Sequence, residues 1–226
     1  MSLDFLTPVP STGLPARGPL LDAAVSAGAV CEVRDGWELI VSFGDREAEV
    51  AACAETVGFA DLSHLAKLEL QSAGTPTLAD SLAEEVGGTA RRLGGGWLCL
   101  QAPSLALAIG AGSEAVAELG LPARITDLTG SLGAVAVAGP LARDTFARFC
   151  ALDMRERELP VGGFRPVSVA RTPGFVLRES ADRFLMLFGA ALGEYIWTVL
   201  ADAAGRLGGR PVGPDALPAV EAVARA

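Results

Sequence analysis

Asp61, Ser63 and His64 bring the groups that acid–base or nucleophilic chemistry uses into one short stretch, Val57-Gly-Phe-Ala-Asp-Leu-Ser-His-Leu-Ala-Lys-Leu-Glu-Leu70. These are the residue types of a hydrolase triad, and His64 is the only histidine in the chain. Read as the start of a strand, however, Ser63 and His64 project to opposite faces and share no local hydrogen bond. No second histidine serves Ser63, and no Gly-x-Ser-x-Gly elbow occurs. Serine hydrolysis does not fit. Asp61 is expected to accept hydrogen bonds from backbone N–H groups of the turn. His64 is expected to hold the entering strand, or a neighbouring subunit, through one ring nitrogen.

A second group surrounds Phe175: Arg171, Arg178, Glu179, Asp182 and Arg183. Such a set either reads a ligand carboxylate or makes a solvated hairpin. Trp37, beside the Asp35-Gly36 turn, either stacks on a planar ligand or covers that hairpin. Gly110-Ala-Gly112-Ser-Glu-Ala115 matches the glycine pattern of dinucleotide sites. Glu114 would sit where the diphosphate belongs, the following helix is short, and Ser113 reads as its N-cap. Cys31, Cys53, Cys99 and Cys150 lie far apart with no C-x-x-C pair, so they read as small buried hydrophobes in a reducing compartment, and no metal site is expected.

The elements that must position these groups follow from periodicity and punctuation. Helices are expected over Pro19–Gly28, Asp45–Val57, Thr77–Val86, Ser113–Leu119, Leu141–Cys150 and Ala190–Leu207. Val30–Val33 and Trp37–Phe43 form a hairpin about Asp35-Gly36. Further strands are expected at Leu65–Gln71, Thr89–Leu93, Trp97–Gln101, Leu105–Ile109, Ala123–Thr126, Leu132–Ala138, Arg165–Arg171, Phe175–Leu177 and Phe184–Phe188. A Gly-Phe-Ala-Asp corner is expected between the Asp45–Val57 helix and the strand after His64. The pattern implies α+β architecture with mixed or antiparallel sheets covered by helices on one face. Two modules of loosely ferredoxin-like type, with a seam near 120–130, account for residues 19–226. Residues 1–18, with Pro8, Pro10 and Pro15, read as an extended N-terminal arm, either a free tail or a contact to a partner subunit.

Composition narrows the function. Apolar residues make up 50% of the 226, charged residues 20%, and the formal charge is −9. That balance, without a basic run longer than Arg91-Arg92, disfavours nucleic acid. The uncharged stretch 93–113 is broken by three glycines, Gln101, Pro103 and Ser104, so it reads as two strands and a turn, not a membrane span. No signal-peptide pattern occurs, and a cytoplasmic location is expected.

The order of segments resembles the folate-binding aminomethyltransferases typified by the glycine-cleavage T-protein. The 57–70 stretch resembles that family's GLFDVSHMGKIEV signature. Asp35-Gly36-Trp37 resembles its first-strand GW segment, and Leu132-Gly-Ala-Val-Ala-Val-Ala-Gly-Pro140 its ALQGP entry to a helix. Ala170-Arg-Thr-Pro-Gly-Phe175 is similar to its RTGYTGE hairpin, and Val212–Leu217 falls where its GLGARDTLR segment begins. The departures are informative. Active transferases carry their working acid in an Asn-x-x-Gly-Gly-x-x-Asp-Asp run, whereas Leu93-Gly-Gly-Gly-Trp-Leu-Cys-Leu100 has no carboxylate. Phe175 replaces the hairpin tyrosine, Glu179 stands for its Glu, and the family's third domain is not represented.

Those losses, the Pro-Leu-Ala-Arg-Asp helix start and Ala151-Leu-Asp153 are similar to the gamma-subunit family of heterotetrameric sarcosine oxidases. The resemblance implies a non-catalytic small subunit of a complex that oxidatively demethylates sarcosine, bound to a larger alpha subunit. FAD, FMN, NAD and tetrahydrofolate would then reside in the larger subunits, and none on this chain. Trp37, Asp61, Ser63, His64, Arg171, Phe175 and Glu179 become candidates for residual folate contacts, with Glu179 at the pterin and Arg171 at the glutamate tail, or for subunit contacts. The alternatives are a stand-alone folate-binding protein of one-carbon metabolism or iron–sulfur assembly, with weak tetrahydrofolate binding, and a cytosolic scaffold.

Overall fold

The computed structural model describes residues 13–82 and 90–220. The chain opens with β1 (Ala16–Arg17), α1 (Leu21–Ser26), β2 (Val30–Arg34) and β3 (Trp37–Ser42). Asp35 and Gly36 have φ of 48° and 78°, the two-residue type I′ turn that an Asp-Gly pair favours. β1 lies parallel to β3, in the order β1-β3-β2. The end of the Pro-rich arm is thus a strand of the chain's own sheet, while residues 1–12 lie outside the described residues. Helix α2 (Arg46–Glu55) follows, its first turn capped by Asp45, which accepts from Ala48 N at 2.9 Å.

Two larger sheets form the body, through β4 (Gly58–Asp61), β5 (Lys67–Ser72), α3 (Leu78–Leu82), β6 (Arg91–Leu93), β7 (Gly96–Ala102), β8 (Leu105–Ile109), α4 (Ser113–Glu118) and β9 (Ala123–Asp127). The chain continues through β10 (Leu132–Ala138), α5 (Ala142–Phe146), β11 (Phe164–Val169), β12 (Thr172–Ser180), β13 (Arg183–Gly189), α6 (Gly193–Gly205) and β14 (Arg210–Pro211). One sheet has five strands in the order β6-β7-β8-β5-β9, and the other six in the order β11-β12-β13-β10-β4-β14. Each contains a β-α-β-β-α-β unit of ferredoxin type: β5-α3-β7-β8-α4-β9, and β10-α5-β12-β13-α6-β14 with β4 inserted beside β10.

Alternation along the strands builds four layers. Val135, Val137, Phe184 and Met186 face α1, α5 and α6, packing on Leu21, Phe146, Ile196 and Leu200. The opposite face of the same strands, Ala134, Ala136, Leu185 and Leu187, meets Trp97, Cys99, Leu107 and Ile109 of the other sheet. Leu68, Leu70, Leu98 and Ala106 then face α3 and α4 through Leu78 and Val116. Helices therefore cover one face of each sheet, as expected for this α+β architecture. No helix among the described residues is long and apolar enough to cross a membrane.

Several local expectations change. Gly58–Asp61 is a strand paired with β10, not a corner; all four residues are buried or half-buried on both faces, so no alternation marks them. Ser63 and His64 lie in a turn closed by Leu65 N to Leu62 O at 3.0 Å, and β5 begins only at Lys67. The chain therefore crosses between the large sheets twice, at 62–66 and at 128–131. The five-stranded module is inserted into the other, and the seam near 120–130 is only its second border. Ser113 is not a cap: Gly112 holds that position without a side-chain bond. The expected helix over Thr77–Val86 is described only to Leu82, and residues 83–89 lie outside the described residues.

Candidate functional site

The first crossing gathers Asp61, Ser63, His64 and Lys67. Asp61 Oδ1 accepts from Ser63 N at 2.8 Å, as expected of an Asp in a turn. Ser63 Oγ accepts from Ala134 N at 3.1 Å, and Ser63 is 2% exposed. Its hydroxyl therefore fastens the turn to β10 and is not a nucleophile. Lys67 is fully buried, and its Nζ donates to Ser63 O at 2.8 Å and Leu65 O at 2.7 Å. Those carbonyls lie in an irregular segment between two sheets, where the ammonium supplies the donors that a strand would. Burial lowers the Lys67 pKa to about 8, against the opposing fields of Asp61 and Asp127. Burial raises that of Asp61, against its bond from Ser63 and the charge of Lys67. His64 is pushed down by burial and then by Lys67. No hydrogen bond reaches its ring among the described residues, so none of them supplies the partner expected for it as a strand holder.

A cleft of about 240 Å³ opens between the sheets beside this crossing, lined by Leu62, Leu65, Trp97, Glu179, Arg183 and Leu217 among others. β12 presents Glu179 and β13 presents Arg183, whose Nε donates to Glu179 Oε2 at 2.8 Å. Glu179 Oε1 accepts from Trp97 Nε1 at 3.0 Å, a bond between the two sheets. The ion pair is well buried, with side chains 7% and 12% exposed. Trp97 comes this close because β7 starts on Gly96, where a Cβ would lie 2.1 Å from Ile109 O. Arg92 stacks over the Trp97 ring at 4.4 Å. Arg183 also donates to Pro218 O, so the C-terminal segment closes one wall together with Leu217 and Val220. The cleft has two arginines, an indole and one carboxylate with both oxygens already accepting. Glu179 locks its walls together.

Of the residues singled out in the sequence, Glu179 lies in this cleft, with Asp61, Ser63 and His64 at the adjoining crossing. Trp37 does not join them: it stands at the hairpin turn of the three-stranded sheet, paired with Arg34 and Ala16. Phe175 stacks on Phe164 at 5.2 Å and 9° and packs against the inter-sheet core. Arg171 sits at the tip of the β11–β12 turn with φ 64°. Eight residue steps along β12 separate it from Glu179, roughly 26 Å at the usual strand rise. One folate cannot use Glu179 for its ring and Arg171 for its tail in the way expected. Arg178 is neither a ligand reader nor solvated, being 4% exposed with bonds to the carbonyls of Leu159, Ser180 and Ala181. Trp97 and Lys67 were not foreseen. Lys67 alternates with Glu69 on a stripe that reads as a solvent face, but that stripe faces the second sheet.

The α+β architecture is shared with solved structures, and the likeness is one of fold. Among solved structures, the glycine cleavage system aminomethyltransferase T from Bartonella henselae is similar with a TM-score of 0.68 and 18% identity. The match covers 89% of this chain and 60% of that one, so the chain spans 60% of the aminomethyltransferase's length. A chain of the heterotetrameric sarcosine oxidase from Corynebacterium sp. U-96, solved in complex with pyrrole 2-carboxylate, is similar with a TM-score of 0.59 and 21% identity. That match covers 72% of this chain and 92% of the other. No family model matches the sequence, and no curated protein matches it significantly.

Proposed function

We propose that this protein is the small, non-catalytic subunit of a heterotetrameric, sarcosine oxidase-like amine oxidase. One observation carries the reading. A T-protein-like fold occurs in a chain of such an oxidase that is shorter than this one and almost wholly covered by it, at 92%. Two features of the cleft support it. Glu179 is held by Trp97 and Arg183, and the glycine hairpin bears no acid that would act on a one-carbon group. The cleft, at about 240 Å³, is also smaller than the 300–1,000 Å³ usual for ligand sites. Leu217 and Val220 stand on its outer wall, which supports the reading that folate is held elsewhere in the complex. On this reading the flavins, NAD and folate belong to the larger subunits, and the complex is cytoplasmic.

The test is purification of the tagged chain from its native source, with identification of co-eluting subunits and assay of sarcosine-dependent peroxide formation. A flavin-bearing complex active on sarcosine is the expected result. A well-behaved monomer with no stoichiometric partner would refute the reading. The second reading, a stand-alone folate-binding protein, is favoured by the match of 89% of the chain to an aminomethyltransferase. Calorimetry decides it: micromolar tetrahydrofolate binding that Glu179→Ala abolishes would put it first.

A further inference from the structure

On the helical side of the six-stranded sheet, a shallow cleft of about 480 Å³ runs between the end of α5 and the β11–β12 turn. Arg148, Phe149, Arg171, Tyr195 and Val199 line it. It shares Ala147, Cys150 and Ala151 with a second cleft of about 490 Å³ that continues past Arg143, where Asp144 and an Asp153 paired with Arg155 join the lining. The two form one elongated groove. The protein as a whole carries −9, yet the first half of this groove is lined by two arginines and no carboxylate. Arg143, Arg148 and Arg171 are exposed, and no guanidinium of the three makes an ion pair or hydrogen bond among the described residues. Asp202, the carboxylate that feels Arg148, is itself bonded to Arg206.

The walls are fixed before anything binds. Ala170 N donates to Phe149 O at 2.9 Å, and Tyr195 Oη donates to Ala170 O at 3.0 Å while the residue stays 45% exposed. The turn that presents Arg171 is of type I′, with φ of 47° at Ala170 and 64° at Arg171. Asn and Gly are the residues that suit such a turn, and the Asp35-Gly36 hairpin follows that rule. Keeping a long cation at a left-handed position, aimed over an open aromatic-walled groove, points to a use for the cation.

We propose that this groove docks an extended acidic segment of a partner polypeptide. Carboxylates of the segment lie between Arg148 and Arg171, and an apolar side chain rests against Tyr195 and Val199. The groove's length favours a chain over a compact anion. The proposal deepens the subunit reading and rests on it only for the owner of the segment.

The probe is a fluorescein-labelled octapeptide, Glu-Asp-Leu-Glu-Asp-Phe-Glu-Asp, titrated by anisotropy with the full-length chain. Saturable binding that weakens as salt rises is expected. Arg148→Gln and Arg171→Gly should each weaken it about tenfold or more, as loss of a charge-assisted contact does. Arg171→Gly should at the same time leave melting unchanged or raise it, because glycine suits the turn. Arg124→Gln, on β9 of the other sheet, should bind like the wild type. Absence of binding, undiminished binding in both groove variants, or equal loss in Arg124→Gln would overturn the proposal. So would equal binding of the Gln/Asn version of the peptide, or displacement by free glutamate at the peptide's own concentration. Co-elution with oxidase subunits is read separately, so failure of the peptide test leaves the subunit reading standing, and the reverse holds too.

Discussion

Replacing Lys67 with methionine removes an ammonium group that the first crossing encloses completely. Burial lowers its pKa from 10.5 to about 8. Between those values the unfolded chain binds the proton and the folded chain does not, so stability rises with pH there, by about 1.4 kcal/mol per unit. Below pH 8 both states are protonated and the cost of burying the charge is constant. Integrated from pH 7 to 9.5, the wild type gains about 2 kcal/mol. Thiols oppose this at the upper end, since burial pushes the Cys53 thiol up to about 11 and raises those of Cys31 and Cys150. The difference between wild type and Lys67→Met cancels that contribution. Urea unfolding followed by tryptophan emission at pH 7, 8, 9 and 9.5 gives the difference directly. The wild type should improve against the variant by about 2 kcal/mol over the range. Parallel pH curves for the two proteins would refute the idea that the crossing holds a dehydrated ammonium.

Substitutions at three further positions test the cleft and its surroundings. Glu179→Ala leaves the Trp97 N–H and the Arg183 guanidinium without their buried partner, and should cost about 3–5 kcal/mol in denaturant melts. Glu179→Gln, which keeps an acceptor for Trp97, should cost less and leave the tryptophan emission maximum of the wild type unchanged. Gly96→Ala drives a methyl into Ile109 O and should destabilise the five-stranded sheet by several kcal/mol, seen as a lowered melting temperature. His64→Gln breaks no described hydrogen bond and should stay within about 0.5 kcal/mol of wild type; under the proposed subunit reading, turnover per assembled complex should be unchanged, and a large loss of rate would make the crossing a catalytic site.

Where the signals were local, the sequence carried the fold. Asp35-Gly36 declares its turn through two residues, and Leu132–Ala138 declares a strand between two cores through alternation that both faces use. The ferredoxin-type units were legible for the same reason, as helices and short-turned strands in order. What escaped reading depends on distance along the chain. Nothing in Gly58–Asp61 says that β10 and β14 will flank it. The acceptor for Trp97 is Glu179, 82 residues away. Lys67 looks solvated until the second sheet is placed over its stripe. Arg171 and Glu179 look like neighbours in one hairpin, but a strand keeps residues eight apart at opposite ends.

The insertion of one module into the other has a consequence during synthesis. Residues 67–127 can close their sheet as soon as β9 leaves the ribosome, because all their partners are near in sequence. β4 cannot: it emerges first and must wait for β10 on one edge and, on the other, for β14, which pairs Arg210 with Gly58. At about 5–20 residues per second the wait for β14 is roughly 8–30 s. Throughout that interval a buried-type strand shows a bare edge to other nascent chains and to chaperones. Translation that pauses between residues 62 and 211 prolongs the exposure, and slowing it there should lower the yield of folded protein without changing the stability of the finished fold.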